Sequence, residues 1–372
     1  MKYLPVIMAA LAAAAQGAEL QHVVVAREAG TFMGWPANGG LWTWDGGREA
    51  VVAFIAGAFE EQKGHNIGKQ HTNVVARSLD GGLTWKLERP QNFTQPGMPF
   101  GILKDAVNFA DPNFALRCTA TGYHGAEDAR GGFLFSYDRG GSWQGPFRFA
   151  GLERCAELKG WDVTCRTDYL VHGPDAAFLL MSARPAGKGG TDRTFWARTK
   201  DGGRHFEFGG WVVGKGDPFR AVMPSSVRLS PTQLVSALRR RDTGNVPCWV
   251  DAYGSGDNGA TWKFLARIGE TGGGNGNPPA LTRLADGRLC CAFGNRSTQQ
   301  MLASISADGG ATWGAPIVIR DRYRADKFGD ADFGYPRQFQ RPDGRLVTLY
   351  YWSQPDAPEA CIAATLWEAP AP

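Results

Sequence analysis

The 372-residue chain lacks most of what would lead it into a membrane, onto nucleic acid or around a metal. Its one markedly apolar run, Leu4 to Ala15, is shorter than the roughly 20 residues a spanning helix needs, so no membrane span is expected. No basic run exceeds Arg239-Arg240-Arg241, and the formal net charge is only +4, so nucleic acid is not an expected partner. There is no Cys-x-x-Cys and no Cys/His cluster; neither a metal nor a cofactor is expected. Helical periodicity is nearly absent, which leaves strands as the main element. No Pro/Ser-rich linker divides the chain.

The amino terminus is better read as an address than as structure. Met1-Lys2, the apolar run and the small residues Ala15-Gln16-Gly17-Ala18 form the pattern of a secretory signal peptide over residues 1–18. Residues 19–372 then form one domain with a periplasmic or secreted destination. Seven cysteines are an odd number, so at least one has no partner within the chain. Cys155 and Cys165 flank a short loop and are positioned to bridge in an oxidising compartment.

One stretch recurs five times. It reads Ser78-Leu79-Asp80-Gly81-Gly82-Leu83-Thr84-Trp85 and returns around Asp138, Asp201, Asp257 and Asp308, more loosely at Asp201 where His205 and Phe206 replace the Thr and Trp. A period of fifty to sixty residues marks a repeat architecture. The Asp carboxylate can accept hydrogen bonds from the N–H groups of its own turn, and the glycines take the positive-φ positions such a turn requires. The Trp that follows can bury its indole between neighbouring sheets. These aspartates therefore read as structural.

Strand-like apolar runs also recur once per unit: Val51–Ile55, Phe133–Phe135, Ala177–Met181, Gln233–Leu238, Arg288–Phe293 and Leu346–Tyr351. Each is expected as the central strand of one blade, which gives an all-β, six-bladed β-propeller with Asp-box hairpin turns. Gln21–Val25 or Ile362–Trp367 would close the ring by pairing the last blade with the first and removing the open edge.

In five copies at this spacing, Ser/Thr-x-Asp-x-Gly-x-x-Trp resembles the Asp-box (BNR) repeat of the sialidase, or neuraminidase, superfamily. The resemblance covers nearly the whole of residues 19–372 and implies a propeller that acts on glycans. It further implies three arginines that grip a substrate carboxylate, a Tyr nucleophile assisted by a Glu, and an acid/base Asp in a first-blade loop. Guanidinium forks match carboxylates, and a neutral phenol suits an anomeric carbon that already carries an anion.

Two positions match. Asp332-Phe333-Gly334-Tyr335-Pro336-Arg337 precedes the last inner strand and supplies the Tyr, unless Tyr335 is a core residue in a Gly-Pro turn. Ser236-Ala237-Leu238-Arg239 ends an inner strand as the second arginine would, although a solvated basic turn is the alternative. The rest departs. Gly34-Trp35-Pro36 stands where the first arginine belongs, and Gly276-Asn277-Pro278-Pro279 where the third does. Met223-Pro224-Ser225-Ser226 has no acid to assist the Tyr, and no Asp lies between Gly57 and Asn73.

The first-blade loop offers Glu60 or His65 as proton donor, each otherwise a surface residue. Asp332 is a second carboxylate that would act as base, orient the phenol or cap a turn. Arg337, Arg166 and Asn277 would contact sugar hydroxyls or a carboxylate, with Arg166 alternatively a structural support. The reading is an exo-acting glycoside hydrolase that removes a terminal acidic sugar, sialic acid being the named case, from a glycan or oligosaccharide. Two others stay open. His65, His71, Tyr335 and Arg239 also fit a lyase that eliminates across a uronate, and a propeller without the full triad would simply bind glycans.

Overall fold

The computed structural model describes residues 20–93, 98–120, 131–186, 191–242, 244, 247–329, 331–354 and 356–371. The signal-peptide expectation falls outside them. The described residues form a six-bladed β-propeller: six antiparallel sheets, five of them running outward from the axis in chain order and the sixth completed by the first strand of the chain. No helix among them is long and apolar enough to cross a membrane.

The fourth blade shows the plan, with strands Arg220–Arg228, Leu234–Arg241, Cys248–Ser255 and Lys263–Gly272. The fifth repeats it with Ala280–Arg283, Leu289–Asn295, Gln300–Ser306 and Ile317–Arg320. In the first blade the inner position is shared by Thr31–Gly34 and Gly40–Trp44, both paired to Glu49–Phe59, with Ile67–Ser78 and Lys86–Glu88 outside. The third splits its inner strand likewise, Trp161–Val163 and Tyr169–Val171 pairing with Ala177–Pro185. Among the described residues the second blade has three strands, Ala115–Thr119, Gly132–Ser136 and Gln144–Arg148. In the sixth, Gly334–Gln340 is innermost, followed by Leu346–Gln354 and Ala357–Trp367.

Both closure segments are used, and against each other. Gln21–Ala26 pairs with Ala357–Trp367 and becomes the outer strand of the sixth blade, so the two ends of the chain lock the ring. All six expected central strands are second from the axis in their sheets, Phe133–Phe135 being the middle of three. These strands are continuously apolar because neighbouring sheets cover both faces; Val51, Val52, Ala237 and Leu238 are sealed from solvent.

The repeated aspartates are consumed within their turns. Asp80 accepts from the N–H groups of Leu83 at 3.0 Å and Thr84 at 2.9 Å, and from the hydroxyls of Ser78 and Thr84. Trp85 closes the turn by donating from Nε1 to the Gly82 carbonyl. The Thr261 and Thr312 hydroxyl bonds, reinforced by their N–H groups, hold Asp257 and Asp308 down to about 2. In the divergent copy Asp201 keeps the Thr199 hydroxyl and the His205 N–H, and Phe206 takes the buried place of the Trp.

Four of the five turns join a third strand to a fourth, and the Asp138 turn joins the last two strands of the three-stranded blade. In an up-and-down blade such turns share one face with the first-to-second connections, as the bonds from Arg341 to the carbonyls of Asp80 and Gly81 confirm. The opposite face receives the second-to-third connections and the passages between blades. His65, Asn275, Arg296 and Asp332 lie on those connections, so the repeats and the candidate site occupy opposite ends of the ring.

The cysteine expectation fails: all seven are free thiols. Cys165 is buried and donates to the Thr119 carbonyl, while Cys155 turns to Glu157 on the other side of its loop. The intervening segment carries Trp161–Val163 into the sheet.

Candidate active site

Three inner-strand segments carry the same device. Trp35, Met223 and Tyr335 each precede a proline and each has a left-handed backbone, with φ of 59°, 53° and 50°. Proline disfavours the right-handed helical region for the residue before it, and a non-glycine residue at positive φ costs about 1–3 kcal/mol. Pairing with the next strand breaks between Val222 and Ser225 and between Gly334 and Arg337, so Met223 and Tyr335 sit on bulges. Bulges re-aim side chains. Here they bring Tyr335 against Met223, Val222 and Ala37 at the axis.

Above this floor lies a cavity of about 850 Å³, whose walls include Trp35, His65, Arg166, Arg239, Arg241 and Tyr335. Five arginines but only two aspartates line it, a balance suited to an anionic ligand.

Tyr335 is fixed from both ends. Its N–H donates to Asn277 Oδ1 at 2.8 Å, and Arg239 Nη1 donates to its hydroxyl at 3.1 Å. Burial pushes the phenol pKa up, but the charges of Arg239 and Arg296 outweigh it and bring the group down to about 8. Arg239 is itself anchored, donating to the Asn275 carbonyl from Nε at 2.7 Å and also from Nη2.

His65 rises from the first-blade loop with its ring half exposed. Its Nδ1 bonds Asp332 Oδ2 at 2.9 Å, and its ring meets Trp35 edge to face at 5.0 Å. Asp332 is only 3% exposed and is a three-way acceptor, taking the Tyr351 hydroxyl at 2.5 Å and Arg296 Nη2 at 3.3 Å on Oδ1. The bond to Asp332 raises the His65 pKa against the opposing effect of burial. Burial and the Asp332 charge keep the Tyr351 phenol protonated. Burial disfavours the Arg296 cation, yet Tyr351, Asp332 and Tyr335 hold its pKa above the ordinary value.

The structure thus brings Tyr335, Arg239, His65 and Asp332 together and adds Arg166, whose Nε bonds Asn38 Oδ1 at 2.8 Å on the cavity wall. It does not bring Glu60. That side chain is exposed at the end of Glu49–Phe59 and leans over Gly68, away from the cavity, because His65 takes the inward place in the loop. Asn277 is sealed beneath Tyr335, where it holds backbone rather than ligand. Arg337 is turned inward, bonding the carbonyls of Ala37 and Thr167, and burial lowers its pKa to about 10. Asp332 spends its carboxylate on His65, Arg296 and Tyr351. Arg239 lies on the second strand of its blade, not the innermost.

Sequence reasoning missed Trp35, Arg296, Tyr351 and the pair Arg220 and Arg241. The recurring residue-before-proline at inner strands, Trp35-Pro36, Met223-Pro224, Asn277-Pro278 and Tyr335-Pro336, was a usable signal for the floor. Arg296 had none, since it sits in an ordinary loop beside Asn295. Among the described residues no three His, Cys, Asp or Glu side chains gather as a metal cage.

No family model and no curated protein matches the chain. Among solved structures it is similar to a protein of unknown function from Dyadobacter fermentans, at 20% identity over 95% of this chain and 100% of that one, with a TM-score of 0.71. It is also similar to the GH93 α-L-arabinofuranosidase of Fusarium graminearum, solved with arabinobiose, at 13% identity over 93% and 96% of the two chains and a TM-score of 0.58. A Hadza microbial sialidase matches at 14% identity over 91% of this chain and 66% of that one, with a TM-score of 0.55. At these identities the likeness is one of fold.

Proposed function

We propose that the protein is a glycan-acting hydrolase that removes a terminal acidic sugar, with Tyr335 as nucleophile and His65 as acid/base. The observation that carries this is the Arg239 bond to a phenol of pKa about 8, in a cavity also lined by His65, which is held from behind by Asp332. Neighbours of the same fold that are described as an arabinofuranosidase and a sialidase support a hydrolase.

In the first step the Tyr335 oxygen bonds the anomeric carbon, the glycosidic bond breaks, and the leaving oxygen takes the His65 proton. In the second, water bonds the anomeric carbon as His65 accepts its proton, and the tyrosyl oxygen departs. Arg239 stabilises the phenolate before attack and after departure, and Asp332 orients the imidazole and favours its charged form. This double displacement retains the anomeric configuration. The amino-terminal pattern supports export to the periplasm or beyond, which cell fractionation with sequencing of the mature amino terminus tests.

A second reading, elimination across a uronate, is favoured by one observation: the hydrogen bond to the Tyr335 hydroxyl comes from an arginine, Arg239, where the resemblance implied an assisting Glu. The deciding experiment is a release assay on sialylated, uronate-containing and neutral glycans, with ultraviolet absorbance read alongside and Tyr335→Phe in parallel. Release of a saturated sugar that Tyr335→Phe abolishes supports hydrolysis. A growing unsaturated-uronate absorbance transfers the assignment to a lyase, and binding without turnover makes the propeller a recognition module.

A further inference from the structure

Arg239, the one arginine that sequence resemblance assigned to a substrate carboxylate, is committed elsewhere. Its Nε and Nη2 hold the Asn275 carbonyl, and its Nη1 holds the Tyr335 hydroxyl and touches Met223 Sδ. The charge of an acidic substrate must therefore be met by other groups.

Two residues further along the same strand stands Arg241. Side chains alternate, so Arg239 and Arg241 face the cavity while Arg240 points the other way, into the blade, to Asp217 and Asp251. Directly across the ladder from Arg241 is Arg220, and both line the cavity. Like charges directly opposite on paired strands are destabilising. Asp192 meets this in part by accepting from Arg220 Nε at 2.7 Å, and Arg241 reaches Asn275 Oδ1, an uncharged acceptor. Asp242 shares the wall, as does Arg184. Burial first, then the charges of Arg220 and Arg239, disfavour the Arg241 cation, with Cys248 and Asp192 opposing. A bound anion would relieve that repulsion.

We propose that the cross-strand pair Arg220 and Arg241 is the anion-recognition subsite of the cavity, and that it selects a sugar whose negative charge lies away from the anomeric carbon, as in a uronic acid. The spacing carries the substrate class. Two residues of strand advance by roughly 7 Å, so this pair is displaced about one sugar ring from the arginine that holds the phenol. A carboxylate borne on the anomeric carbon, as in a sialic acid, would have to lie beside Tyr335 instead. The inference rests on the proposed reading for the position of the anomeric carbon, but the binding of the anion does not depend on turnover.

The test is therefore equilibrium binding by calorimetry, using disaccharides ended by glucuronate, galacturonate or mannuronate, each compared with its methyl ester, and sialyllactose compared with its ester. Esterification removes the charge and keeps the ring. The expected result is a uronate bound at least tenfold more tightly than its ester, a ratio that Arg241→Gln and Arg220→Gln each bring near one without weakening the ester. Arg241→Lys restores part of it. Three outcomes overturn the proposal: no uronate prefers its acid form, the acid preference is larger for sialyllactose, or the Gln variants weaken acid and ester alike. Uronate binding that follows the expected pattern without turnover would leave this subsite standing and remove the hydrolase reading.

Discussion

The Arg239 guanidinium donates to the Tyr335 hydroxyl at 3.1 Å, and its central carbon lies 5.6 Å from the centre of the same ring. One cation thus acts on both the oxygen and the π face of one phenol, and both contacts favour electron density on that oxygen. The pair spans two blades, one residue from the second strand of the fourth and the other from the inner strand of the sixth. Only closure of the ring creates it.

Removing the phenol oxygen should abolish chemistry and spare the fold. Tyr335→Phe is expected to lower kcat on the order of a thousandfold or more while the melting temperature stays close to that of the parent. Arg239→Gln should move the limb of the kcat/KM–pH profile that reports Tyr335 upward from about 8 toward the ordinary tyrosine value. A limb that stays in place would show that Tyr335 does not ionise in the reaction.

His65 should carry the opposite limb. Its pKa is raised by the bond to Asp332, so its acid form persists to higher pH than in a free imidazole. Activity that needs this form falls as pH rises through the raised value, and Asp332→Asn should move that fall to lower pH. The pair's contribution to stability is complete below the unfolded value of about 6.5 and is lost as pH rises through the folded value. Glu60→Gln, by contrast, should leave turnover unchanged, because that carboxylate lies outside the cavity. Equal losses in Glu60→Gln and His65→Gln would return Glu60 to the site.

Gly334 is the hinge on which Tyr335 turns. Its φ is 99°, and a Cβ there would lie 2.1 Å from Asn277 Oδ1, the atom that accepts the Tyr335 N–H. Gly334→Ala is expected to cost about 1–3 kcal/mol in denaturant unfolding and to lose activity out of proportion, by misplacing the phenol. A variant of parental activity would mean that Tyr335 does not need this backbone.

Asp168 is a buried acid on the axis whose pKa is raised to about 6 by burial, against the bonds from Ser226 and the charge of Arg337. The folded state therefore holds this proton more tightly than the unfolded chain. The contribution of Asp168 to stability should be greatest below about pH 4 and decline by roughly 3 kcal/mol between there and about pH 6. Melting curves of Asp168→Asn should lack that segment; parallel curves for the two proteins would refute the assignment.

Much of the propeller could be read without a structure because its causes are local. A carboxylate bonding its own turn, glycines at positive φ and apolar runs between them depend on residues within about ten positions of one another, and six such units leave few other ways to bury their faces. Tyr335 and His65 could be singled out for the same reason, one by its Gly–Pro setting and the other by its polar loop. Glu60 and His65 were indistinguishable in sequence because five residues of loop do not say which side chain turns inward; Asp332, 267 positions from His65, decides that. Asn277 and Arg337 looked like ligand contacts, but close approach at the axis left backbone groups there that only their side chains could satisfy. Arg296, Tyr351 and the Arg220–Arg241 pair were invisible for one physical reason. Their roles come from charge and distance between blades, and those are properties of the closed ring rather than of any stretch of the chain.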